Sequence, residues 1–196
     1  ATPDISFKAF SKAITGGSVV SAGDMGRWTG TTFENTPDGK AEIVVGSGAG
    51  VKATVTVFDV STDTARPVRS FFPFTQVNTN FKGGVSLEVA KVNDDPIPDI
   101  IVGMGVNGTS RIEVYTWNSG SLDPPVAIPN AFLGPSYRAP VDVAAMMDSN
   151  GFAETIVAVQ GPGASTQQIR RFDIVSRSPL VFQPDTPLTS FPGPWF

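Results

Sequence analysis

Gly83-Gly84-Val85-Ser86-Leu87-Glu88-Val89-Ala90-Lys91-Val92-Asn93-Asp94-Asp95-Pro96-Ile97-Pro98-Asp99-Ile100-Ile101-Val102-Gly103 is the stretch that decides the fold. From Val85 to Ala90 apolar and polar residues alternate, the period of a half-buried strand. Asn93 to Pro98 is acidic and carries two prolines, the composition of a turn. Asp99 to Gly103 is a short apolar run ending in glycine, which reads as a second strand. The stretch therefore predicts strand, acidic turn, strand.

The same pattern recurs on either side. Apolar runs begin at Glu42, Asp99 and Glu154, reading Glu42-Ile43-Val44-Val45-Gly46, Asp99-Ile100-Ile101-Val102-Gly103 and Glu154-Thr155-Ile156-Val157-Ala158. Downstream of each lies an aromatic, at Phe58, Tyr115 and Phe172, spaced by 57 residues both times. A glycine pair precedes the first strand in two units, Gly16-Gly17 and Gly83-Gly84, and Val141 to Ala145 is the third copy without it. Arg111-Ile112-Glu113-Val114-Tyr115 alternates and reads as a third strand. A Phe-rich segment follows as a fourth: Pro67 to Phe74, more weakly Pro125 to Phe132, and Pro187 to Pro192. The expectation is an all-β, propeller-type array of about three four-stranded blades, partial or completed by association. The units run approximately over 11–74, 75–132 and 133–191, with a strand fragment of a preceding unit at 5–10. An ordinary β-sandwich would not require the sequence to recur.

The junction from Gly83 to Gly103 resembles the FG-GAP repeats of integrin-α-like propellers and related bacterial surface proteins. Those repeats run from a glycine pair through a strand and an acidic loop, D-x-[DN]-x-D-G-x-x-D, into an apolar strand ending in glycine. The resemblance implies a calcium site in each loop, because alternate carboxylates on a tight turn offer hard oxygen ligands. Carried over by position, the middle loop supplies Asn93, Asp95 and Asp99, with Lys91 in the leading ligand position and Pro96 in place of the turn glycine. The third loop supplies Asp148, Asn150 and Glu154. The first supplies Asp24, Asp38 and Glu42 around an insertion, Arg27 to Thr36. All three loops depart from the family pattern. One reading is structural calcium; the other, which the departures favour, is that the acidic residues cap turns by accepting backbone N–H groups.

Composition removes several functions. There is no cysteine, hence no disulfide or thiolate chemistry, and no histidine, the commonest general base and transition-metal ligand. Net charge is −4 and Arg170-Arg171 is the only basic pair, so nucleic acid is not an expected partner. No apolar run approaches the roughly 20 residues of a membrane-spanning helix. Ala1-Thr2-Pro3-Asp4 reads as a start exposed by processing or by the choice of where the sequence was cut, so it does not fix the native N-terminus. Gly103-Met104-Gly105-Val106-Asn107-Gly108 satisfies G-x-G-x-x-G, but a dinucleotide site needs a helix next. A period-2 strand follows instead, so these glycines read as a hairpin turn.

No catalytic constellation emerges, and the expected role is non-enzymatic: a binding or structural module acting through protein–protein contacts, as a subunit or fragment of a larger extracytoplasmic assembly. Trp28 and Phe33, in the insertion, and Trp195-Phe196, at the apolar end, are the candidate contact residues. The alternatives are a carbohydrate-binding lectin, with Trp28, Trp117 and Trp195 as stacking surfaces, and a hydrolase using a carboxylate pair. Three blades are fewer than a closed ring needs, which leaves sheet edges and an apolar face to be covered.

Overall fold

The computed structural model describes residues 5–10, 14–132, 137–164 and 168–184. All regular elements among them are strands. The first unit runs β1 (Gly16–Gly23), a small hairpin β2 (Arg27–Trp28) and β3 (Phe33–Glu34), then β4 (Glu42–Ala49), β5 (Val55–Asp59) and β6 (Arg66–Phe71). The second runs β7 (Val85–Ala90), β8 (Asp99–Met104), β9 (Ile112–Tyr115), a hairpin β10 (Trp117–Asn118) and β11 (Ser121–Leu122), and β12 (Val126–Ile128). The third runs β13 (Val141–Met147), β14 (Ala153–Gln160), β15 (Ile169–Arg177) and β16 (Leu180–Pro184). Each unit forms one four-stranded antiparallel meander, β1-β4-β5-β6, β7-β8-β9-β12 and β13-β14-β15-β16, with the two hairpins outside them.

Two expectations fall differently. The third sheet is closed by β16, not by Pro187 to Pro192, which lies outside the described residues. Only Ser178-Pro179 separates Arg177 from its partner Leu180, so the chain folds straight back and fills the edge first. Residues 5–10 are not in a strand; Phe7 instead sets its ring 4.9 Å from that of Phe58. The turn at Gly103 to Gly108 joins β8 to β9 without a helix.

The sheets pack face to face in series, with β7 touching both β1 and β13. Strand alternation feeds two cores from the middle sheet. Val85, Leu87, Val89, Ile100, Val102 and Tyr115 pack with Val44, Val55 and Val57 of the first sheet. Ala90, Ile101, Ile112 and Val114 point the other way, against Val141, Ile156, Ala158 and Phe172 of the third. Both faces of β8 and β9 are thus buried, which is why β8 is a nearly continuous apolar run; β9 buries a charged residue, Glu113, among its apolar ones.

Two glycines that close the apolar runs of β4 and β8 have a packing role. A Cβ on Gly46 would lie 2.4 Å from a methyl of Val85, and one on Gly103 would lie 2.3 Å from the carbonyl of Val141. Each glycine lets the first strand of the next sheet approach its neighbour. In the third sheet the matching position is Val159, which pairs with Asp142 as Gly103 pairs with Ser86.

Candidate functional site

The acidic loops spend their oxygens on the backbone. Asp24 accepts from the amides of Asp38 (3.2 Å) and Gly39 (2.7 Å), and Asp38 accepts from Lys40 (2.9 Å). Asn93 accepts from Asp95 N–H (3.0 Å), and Asp95 accepts from Ile97 N–H (2.9 Å) and from the Asn93 amide (2.8 Å). Asp148 accepts from Asn150 (2.8 Å) and Phe152 (2.9 Å), bonds that hold its carboxyl below the usual range, the one from Phe152 most. Glu154 is exposed.

Glu42 and Asp99 are different, because they are buried at the starts of β4 and β8. Glu42 accepts from Met25 N–H at 2.7 Å. Asp99 takes Trp117 N–H at 2.9 Å and Val92 N–H at 3.2 Å. Burial pushes each carboxyl up to about 7. Among the described residues no three His, Cys, Asp or Glu side chains group so as to hold a metal ion. The expected result is one melting temperature in calcium and in chelator; a rise with calcium would show that a loop rearranges to bind it.

The aromatic candidates turn inward. Phe33 is buried edge-on to Trp117, their centroids 5.9 Å apart. Trp117 is fully buried and donates its indole N–H to the Met25 carbonyl at 2.8 Å, so it offers no open stacking face. The guanidinium of Arg66 lies 4.5 Å from the Trp28 ring centroid. The insertion thereby clamps the first sheet to the β10–β11 hairpin. Trp195 and Phe196 lie outside the described residues.

The sequence reading missed the chemistry between the sheets. Glu113 on β9 accepts the Phe74 amide at 2.8 Å; Arg170 on β15 donates to the Ala131 carbonyl at 2.8 Å. Both bonds span 39 residues, so one repeat position latches the same point of the preceding unit twice, with opposite charge. Glu113 is neutralised by Arg111 at 2.7 Å and takes the Tyr115 hydroxyl as well. Burial, reinforced by that bond, pushes the Tyr115 phenol upward, keeping it a donor. Next to this cluster is a cleft of about 300 Å³ walled by Arg69, Phe71, Gln76 and Asp123. A second cleft, of about 550 Å³, lies beside Arg170 between β12 and the β15–β16 edge. The signal was present: Glu113 and Arg170 are charged residues two positions before the repeated aromatic, on the same strand face as it.

Compared with protein-family models, with curated proteins and with solved structures, the chain matches none.

Proposed function

We propose that this chain is a non-enzymatic structural and binding module, its sheets the blades of an FG-GAP-like propeller array that joins an extracytoplasmic assembly through its two outer faces. The supporting observation is the pairing of those faces. Ser18, Val20 and Ala22 on β1 stand where Val85, Leu87 and Val89 stand on β7, and Val20 is 68% exposed. At the other end Met146 and Val175 are 52% and 54% exposed. Inside the molecule a glycine meets bulky residues: Gly46 against Val85 and Leu87. At the open ends bulk has changed sides, with valine at 159 and serine at 18. The third sheet of one copy therefore complements the first sheet of a second, in a head-to-tail contact. Three blades do not close a ring, whereas two copies supply six.

Light scattering tests this. The expected mass is that of a discrete assembly above the 20.6 kDa chain. Met146→Glu or Val20→Glu, each placing a charge in the contact, is expected to return it to monomer. A monodisperse wild-type monomer that resists proteolysis overturns the reading.

A further inference from the structure

We infer that the cleft between the second and third sheets binds a small amphiphile with an anionic head, a carboxylate on an apolar chain, through Arg170. Arg170 is 8% exposed, and its Nε is buried without a hydrogen-bond partner. Its Nη1 is committed to the Ala131 carbonyl, and its guanidinium sits 5.4 Å from the Phe172 ring centroid. Among the described residues no carboxylate pairs with it. The repeat supplies the control. Glu113 occupies the same position one unit earlier and has its counter-ion in Arg111; the residue matching Arg111 beside Arg170 is the uncharged Gln168. A buried guanidinium without a counter-charge is costly, and a carboxylate offers planar, two-pronged compensation. What surrounds the arginine defines the rest of the ligand. Val126, Ile128, Leu180 and Phe182 give the cleft of about 550 Å³ apolar walls. A charged head at Arg170 and an apolar body along these residues satisfy both.

The inference is independent of self-association, since the cleft lies within one chain. The probe is decanoate, titrated calorimetrically into the full chain, with decanol as the neutral analogue. Saturable decanoate binding is expected, with decanol weaker by about tenfold or more, the loss of one charge-assisted pair. Arg170→Met is expected to weaken decanoate by a similar factor. Arg171→Gln, altering the neighbouring residue on the opposite face, should leave it within about twofold. If Arg170→Met does not fold, Val126→Trp fills the cleft, keeps the arginine and should abolish binding with an unchanged circular dichroism spectrum. Absence of saturable binding, equal affinity for decanol, or undiminished binding by a folded Arg170→Met or Val126→Trp protein each overturns it.

Discussion

Glu113→Ala is expected to destabilise the protein by roughly 3–5 kcal/mol, the usual cost of breaking a buried ion pair from one side. The side chains of Glu113 and Arg111 are 1% and 11% exposed, so water does not replace the lost partner. Truncation strands the Arg111 guanidinium, the Tyr115 hydroxyl and the Phe74 amide together. The last of these matters most for architecture, because it joins the end of the first unit to the middle of the second. For a chain of this size the loss corresponds to a fall in melting temperature of about 10 °C. Glu113→Gln keeps an acceptor and should lose less. Removing both charges, as Arg111→Met with Glu113→Leu, should recover much of the stability, since the remaining cluster no longer holds an unpaired ion. A loss below about 1 kcal/mol for Glu113→Ala would mean that the cleft is wet and the latch dispensable.

The second large effect is on pH. Glu42 and Asp99 have folded-state values raised by burial to about 7, above the ordinary carboxylate values they regain on unfolding. Below those ordinary values both states are protonated and these groups contribute their full stability. Between them and about pH 7 the unfolded chain releases protons that the folded one retains, so stability falls as pH rises. Thermal melts should therefore be higher at about pH 5 than at about pH 8, each group contributing on the order of 2 kcal/mol or more across the window. Asp148 and Asp173 act in the opposite sense, being held low by Phe152 N–H and by the Thr155 hydroxyl respectively. Their contribution is lost only at more acid pH, below this window. Glu42→Gln retains an acceptor for Met25 N–H and should remove about half of the slope. A melting temperature that rises steadily from about pH 5 to 8 would show that both acids ionise freely in the fold.

How much was legible in the sequence follows from the range of each interaction. Alternation, glycine pairs and proline turns are local signals, and they placed the first three strands of each unit near their observed positions. The spacing of Phe58, Tyr115 and Phe172 displayed the repeat, since equivalent aromatics occupy equivalent core sites. The fourth strand of the last unit was misplaced because a resemblance at Pro187 outweighed the short Ser178-Pro179 connection, which sets the hairpin. The acidic loops looked like ligand sets in composition, yet composition does not say which oxygens the nearby amides already occupy.

By itself, then, the sequence determined that the chain is built of strands, in units of about 57 residues, with apolar runs that end in glycine or a small residue. These follow from side-chain period and backbone freedom, which act over a few residues. Tertiary structure alone decided what lies between the units. It turned Phe33 and Trp117 inward, buried Glu42 and Asp99, and carried Glu113 to Phe74 and Arg170 to Ala131. Each of those contacts joins residues far apart in the chain, so its energy exists only once the sheets have stacked. The apolar run from Asp99 to Gly103 marks the difference: its sequence specified a strand, and packing decided that both of its faces are buried, between the first and third sheets.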